Sequence, residues 1–517
     1  MKKLFLYGCT ALALLACSDQ DNATEPTEIV TRTEPSPTPA EPRLLSMSFS
    51  TDANPMQLTA DVKGEIIGDS IVECWVPNIM SSKQLIADFT FEGQQVSIDG
   101  VPAVSGTSVA DFKQPAVLTV TSDSLSKDYT VYVHAFTGLP VMWIETEGRE
   151  DITSKEVYLR AAFRLVEDVY TRAAGDVTED SVSIKGRGNS TWGMPKKPYR
   201  LKFDAKQALL DMPKDKSWVL LNNYADKTML RTQTAFYMGS ISNLDYTPRS
   251  HFVELMLNGR YNGTYQLCEK LKIAKHRVNV GDDGFLLEIN ARAASEEDSR
   301  YFMTNHLSGI PIDVKEPDVE YDDENYNYIK SYVLTAEAAL YADNFKDPVE
   351  GWQKYFDMDS FVEWYLINEI TKNNDAGLWS SCYINVERGG KLKMGPLWDF
   401  DIAIGNVNYN KNFFSDGFCI KRSTWFSRLF QDPVFVAKVK ERFNYFYSRQ
   451  GDIMREINAN AAYLKYAVQE NENKWHTFYT YTWPNYDIWG SYQNEVQSMK
   501  EWLHARFEWL KAEFDKM

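Results

Sequence analysis

The apolar residues of this chain change their period part-way along, and that change restricts the fold more than any other feature. In the first part they recur at alternate positions in short runs. Tyr129-Thr130-Val131-Tyr132-Val133, Val141–Glu145, Ser181–Lys185, Tyr199–Phe203, His251–Leu257, Gly263–Glu269 and Gly284–Ile289 all read this way. Alternation marks strands with one buried face. Further on, the repeat lengthens to three or four. Val436, Val439, Phe443 and Phe446 follow Asp432-Pro433, which reads as an N-cap with proline in the first turn. Leu503, Phe507, Leu510 and Phe514 make a similar stripe. Ser360-x-x-Glu363 reads as a capping box opening a helix over "SFVEWYLINEI". A strand-rich half followed by a helical half implies α+β architecture.

Within the strand-rich half, residues 43–137 are all short alternating segments divided by Gly, Asp, Asn and Ser. They predict a small β-sandwich of immunoglobulin-like type with no catalytic group. Residues 138–517 form a second, mixed unit. "SDQDNATEPTEIVTRTEPSPTPAEP", 18–42, lacks apolar periodicity and predicts a disordered tether. Residues 1–17 have Lys2 and Lys3, an apolar core too short to span a bilayer, then "LLAC". That ending resembles a bacterial lipobox, which implies lipidation of Cys17 and a lipid anchor in a membrane. The acidic Ser18-Asp19-Gln20-Asp21 resembles the export tag of Bacteroides-type lipoproteins, so an outer-membrane lipoprotein exposed at the cell surface is expected.

The net charge is −17 over 517 residues with no sustained basic run, which argues against nucleic acid as a partner. Lys196-Lys197 is a local candidate for a small anion. Cys74, Cys268, Cys382 and Cys419 are far apart and read either as buried thiols or as one or two disulfides. The six histidines show no ligand spacing, so zinc is not expected.

Four stretches concentrate unusual polar residues. "IKGRGNSTWGMPKKPYRLKF", 184–203, reads as a hairpin whose glycines let backbone N–H groups approach an anion. It lacks the Gly-Lys-[Ser/Thr] ending of a P-loop. "YNGTYQLCEKLK", 261–272, reads as a tight turn at Asn262-Gly263 and a strand ending at Glu269. "INEITKNNDAGLWSSCYIN", 367–385, places Asn373, Asn374 and Asp375 after a helix and before a strand. "GPLWDFDIAIGN", 395–406, puts Asp399 and Asp401 into an apolar run. Read as a strand, both acids project from one face, roughly 6.5–7 Å apart at Cα. Buried acids need compensation by a cation, a basic side chain or backbone donors. Glycoside hydrolysis is disfavoured, since its two carboxylates flank a bond across a cleft.

These four motifs, in this order, resemble the CotH (spore coat protein H) kinase family over roughly 138–517. The resemblance implies a divergent protein-kinase-like fold and transfer of phosphate from ATP, with Mg²⁺ or Mn²⁺, to Ser (or Thr) of a secreted or surface protein, expected to be Ser-rich. By position, Asp375 would be the catalytic aspartate, Asp399 a metal ligand and Asp401 a second or supporting one. Arg187, Lys197 and Lys202 would meet nucleotide phosphates, and Glu269 would orient a lysine. Kinases place a metal-binding Asn five residues after the catalytic Asp. Here that position is Ser380, a weaker ligand, and Asn385 lies further on. The alternative is a kinase-like surface lipoprotein without catalysis that binds protein or glycan.

Overall fold

The computed structural model of the chain describes residues 41–56, 58, 61–77, 83–167 and 177–517. Cys17, the signal-like segment and all but the last residues of the expected tether lie outside the described residues.

The first β-rich stretch forms two main sheets that share a core of their own. Arg43–Phe49 pairs with Val62–Lys63 and Asp88–Glu92 in one sheet. Ile71–Pro77, Leu125–Phe136, Ala116–Ser122 and Gln95–Ile98 are consecutive neighbours in the other, which has six strands. Met47, Phe49, Val72, Leu118 and Val131 are buried between them. Each fills an inward position of an alternating run, as the period requires.

Seven strands then close a barrel: Val141–Thr146, Leu159–Val166, Val177–Gly186, Tyr199–Leu209, Met212–Leu221, Arg260–Glu269 and Ser250–Leu257, in that spatial order. The closing pair, Val141–Thr146 with Ser250–Leu257, is parallel. Ile144, Phe163, Leu201, Trp218 and Leu267 fill the interior. The hairpin between the last two strands turns at Asn258-Gly259, with φ of 52° and 74°. Positive φ at both central residues matches the twist of the flanking strands. Asn262-Gly263, expected as the turn, lies instead inside the strand, where the pairing skips Asn262 as a bulge. The chain offers two Asn-Gly pairs four residues apart, and packing selects the first. Gly263 is required where it stands, since a Cβ there would meet Asn471 Oδ1 at 2.6 Å.

Beyond the barrel lies a second, five-stranded sheet in the order Tyr301–Phe302, Ile312–Glu316, Phe285–Ile289, Cys382–Val386, Lys393–Met394. The helices Glu324–Tyr341, Met358–Thr371, Pro433–Ser448 and Tyr492–Asp515 pack with it around the largest core. Met358–Thr371 is buried on every side from Ser360 to Thr371, and its two buried acids, Glu363 and Glu369, are paired with Arg442 and Arg506. Its N-cap is Asp357, which accepts from Ser360 N at 2.8 Å, and not Ser360. The expected capping box does not form, because Glu363 is drawn across to Arg442 of the neighbouring helix. Asp432 does cap its helix, accepting from Val434 N at 2.9 Å. Cys74, Cys268, Cys382 and Cys419 are all free thiols. Among the described residues no helix is long and apolar enough to cross a membrane.

Candidate functional site

A cleft of about 740 Å³ opens between the barrel, the second sheet and the turns after the central helix, Met358–Thr371. Its walls come from the turn after Val177–Gly186 (Arg187 to Thr191), the end of Met212–Leu221, Glu288 and Lys315 of the second sheet, Asn374 and Asp375, and Trp398 to Asn410.

The central helix stops at Lys372, which turns left-handed with φ of 50°. Its ammonium donates to the carbonyls of Lys411, Phe414 and Asp416 at 3.1, 2.9 and 2.6 Å. That ties the helix end to the loop carrying Tyr409 and Asn410. Asn373 Nδ2 donates to the backbone oxygen of Asp399 at 3.1 Å, joining the two acidic segments. Asn374 Nδ2 donates to Asp375 Oδ1 at 3.0 Å. Burial, then the charge of Asp399, pushes the Asp375 carboxyl above the usual aspartate range.

Asp399 and Asp401 do not sit in a strand. The pairing ends at Met394, and Asp399 itself has φ of 68°. Leu397, Phe400 and Ile404, buried at intervals of three and four, mark successive turns dipping into the core rather than a pleat. The turns still aim both carboxylates into the cleft. Asp399 is exposed and accepts from Ser381 Oγ at 3.0 Å. Asp401 is pushed up to about 8, by burial first and then by Asp399, Asp226 and Asp375. Asp226 has its own counter-ion, Arg231 at 2.5 Å, so that guanidinium is already engaged.

The structure separates the expected phosphate contacts. Arg187 lines the cleft, its guanidinium 5.6 Å from the Trp398 ring centre. Lys197 does not line it; its Nζ donates to Trp192 O at 2.7 Å and rides over that ring, holding the hairpin turn. Lys202 is exposed on a barrel strand opposite Ser183, because its alternate position faces outward. Lys196 is fully buried and donates to Asn471 Oδ1 at 2.8 Å, so it anchors a helix and offers nothing to an anion. Glu269 lies outside the cleft and orients arginines, not a lysine: Arg249 donates to it at 2.8 and 3.0 Å. Ser380 is buried, and Asn385 Nδ2 is spent on Gly395 O at 2.9 Å.

Two residues missing from the sequence reading stand in the cleft, Glu288 and Lys315. They belong to adjacent strands, with Lys315 Nζ 3.6 Å from Glu288 and 2.8 Å from Asp313. Burial raises Glu288 to about 7, against the pull of Lys315 and with the help of Asp313, Glu296 and Asp399. Burial lowers the Lys315 ammonium, but the surrounding acids outweigh it and leave it raised. One lysine shared among several acids keeps its proton, and Glu288 keeps its own below about pH 7. The available signal was the lone acid of the otherwise apolar "FLLEI"; "IDVKE" carries three charges and singles out none of them.

Glu288, Glu296, Asp375, Asp399 and Asp401 thus face Arg187, Arg292 and Lys315 across one cleft. Among the described residues no three His, Cys, Asp or Glu side chains converge as a ligand set. Burial, reinforced by the neighbouring acids, raises Asp375 and Asp401, and carboxylates so placed suit a divalent cation completed by phosphate oxygens.

The fold and cleft define a mixed α+β protein with an acidic site fronted by basic side chains. The family model for CotH kinase protein matches residues 184–510. The chain therefore belongs to the CotH kinase family. A search of curated proteins found no match. Among solved structures, a DUF4623 family protein from Bacteroides eggerthii aligns at 10% identity and a TM-score of 0.15, over 34% of this chain and 49% of that one. A putative glycoside hydrolase from Bacteroides thetaiotaomicron aligns at 16% identity and 0.17, over 54% and 67%. The chain spans about half the length of the first. At these TM-scores neither alignment bears on fold or activity.

Proposed function

We propose that this protein is a CotH-like atypical kinase with a kinase-like fold, transferring the terminal phosphate of ATP to Ser (or Thr) of a secreted or surface protein. One observation carries the reading: Asp375 and Asp399, from separate segments, line one cleft with Arg187 and Lys315. Phosphoryl transfer needs that division, with basic groups on the phosphates and acids at the nucleophile and the metal. Asp375 takes the proton of the acceptor hydroxyl as its oxygen bonds to phosphorus and the bond to the leaving diphosphate breaks. Its raised proton affinity brings it nearer neutral pH, which favours that role. Asp399 and Asp401 would hold Mg²⁺ or Mn²⁺. The cation would neutralise charge gathering on the phosphates. Arg187 and Lys315 orient the phosphates, and Glu288 positions Lys315.

The remaining expectations join this proposal. The N-terminal two-sheet region is read as an immunoglobulin-like spacer, and Cys17 as the lipid anchor of an outer-membrane protein facing outward. "LLAC" and the acidic residues after it support that placement.

Labelled ATP, Mg²⁺ or Mn²⁺ and a Ser-rich acceptor test the reading. Asp375→Asn should lower transfer by about 10²–10⁴ while keeping the nucleotide-dependent rise in Tm. Asp399→Asn should abolish that metal-dependent rise. A wild type that shows no Mg²⁺–ATP shift sinks the kinase reading and favours a binding protein.

A further inference from the structure

Between the helices Lys465–Trp475 and Tyr492–Asp515 the chain forms neither helix nor strand, yet it is held in place. Asn485 is fully buried; its amide donates to Ala225 O at 2.8 Å and to Asn406 Oδ1 at 2.9 Å, and its oxygen accepts from Lys227 at 2.8 Å. Asn408 N donates to Pro484 O at 2.9 Å. These bonds fix the loop and leave Tyr479, Tyr481, Trp483, Tyr486 and Trp489 between 44% and 79% exposed. Large rings exposed together on a fixed backbone mark a contact surface rather than a core.

This surface runs into the catalytic cleft. Trp483 and Pro484 line the cleft together with Tyr409 and Asn410. Trp483 stacks on Tyr409, with ring centres 6.1 Å apart and planes 24° apart. Asn410 and Asn412 both donate to Asn374 Oδ1 at 2.9 Å, and Asn374 directly precedes Asp375. The Tyr409 hydroxyl is pushed up to about 12, by burial first and then by Asp375, Asp401 and Asp399, as expected on the acidic side of the cleft. Bonded neighbours thus lead without a gap from Asp375 to the Tyr409–Trp483 pair and on to the outer rings.

What covers the rings follows from that continuity. A serine that brings its hydroxyl to Asp375 carries chain on both sides, and this chain must leave the cleft over its rim. Same-face side chains of an extended segment lie roughly 6.5–7 Å apart, close to the spacing of the two rings. Fixed aromatic faces cover apolar side chains at little cost in conformational entropy. A membrane surface is disfavoured, because residues 476–491 contain no Lys or Arg and one acid, Asp487.

We propose that Tyr409 and Trp483 form an acceptor platform, holding an extended polypeptide segment with apolar side chains at alternate positions beside its acceptor serine. Tyr481, whose oxygen accepts from Asn408 at 2.6 Å, and Tyr486, stacked on Phe413 at 4.2 Å, carry the platform outward. The inference rests on the kinase reading and adds to it the class of acceptor.

Calorimetric titration of the whole protein, without nucleotide, compares two synthetic peptides with a central serine, one flanked by Leu and Pro at alternate positions and one by Gly and Asn. The apolar peptide should bind more tightly. Trp483→Ala should weaken its binding by about tenfold or more, the usual cost of truncating a central tryptophan. Trp483→Phe should restore most of it, and the Mg²⁺–ATP rise in Tm should persist in both variants. Equal binding of the two peptides, no binding, or binding indifferent to Trp483→Ala overturns the proposal. Loss of the Mg²⁺–ATP rise in Trp483→Ala also overturns it and gives the rings to the nucleotide. A soluble β-glucan that binds in place of the peptide, and is lost in Trp483→Ala, overturns it in favour of glycan. The titration needs no nucleotide, so its failure is distinct from a wild type without an Mg²⁺–ATP shift, which sinks the kinase reading.

Discussion

Glu288→Gln should stabilise the ligand-free protein in alkaline solution and leave it nearly unchanged in acid. Glu288 is buried, and its carboxyl is raised to about 7 from 4.5 for the free side chain. The folded state therefore keeps a proton between those values that the unfolded state has lost. Stability tied to that proton is complete below about pH 4.5 and is lost as pH rises through about 7. The gap corresponds to about 3 kcal/mol above pH 8 and to less than about 1 kcal/mol at pH 5. Glutamine keeps the shape and removes the titration, and Lys315 retains Asp313 at 2.8 Å. Calorimetric melts at pH 5 and 8.5 measure the effect. The variant's Tm should exceed the wild type's by a few degrees at pH 8.5 and match it closely at pH 5. Mg²⁺–ATP should raise the variant's Tm less than the wild type's, because Glu288 no longer positions Lys315. A variant no more stable than the wild type at pH 8.5 would refute the reasoning: Glu288 would then be a satisfied structural partner of Lys315.

Arg506→Met should cost about 3–5 kcal/mol, since it strands Glu369 without its buried counter-ion and frees the carbonyls of Ser415 and Gly417; chemical denaturation reads the loss. A chain starting at Pro140 should retain nucleotide binding, because the cleft begins at Arg187. Its Tm should fall, since Trp143 and Tyr261 lose their packing on Trp75 and Glu254 loses the hydroxyl of Thr137 at 2.7 Å. Cys17→Ala should move the protein out of the membrane fraction, and a variant that stays fully bound sinks the lipid-anchor proposal.

Local periodicity was enough to place most strands and the late helices, because burial acts on neighbouring residues and leaves its period in the chain. Val141–Glu145, Tyr199–Phe203 and the Leu503–Phe514 stripe all read correctly. The ordered polar motifs also identified Asp375, Asp399, Asp401 and Arg187, which the fold brings to one cleft. The failures were of two kinds. Where two local solutions compete, as at Asn258-Gly259 against Asn262-Gly263, barrel packing decides. The run "LWDFDI" alternates like a strand, yet it finds no partner and leads into two successive turns, closed by Ala403 N on Phe400 O and Asn406 N on Ala403 O, with Asn373 holding the carbonyl of Asp399. Which charges meet was not legible at all. Lys197, Lys202 and Glu269 carry charges suited to a phosphate site but are turned toward Trp192, solvent and Arg249. Glu288 and Lys315 lie 27 positions apart and meet only because their strands pair. A charge's partner is set by distance in space, and only strand register and helix packing determine that distance.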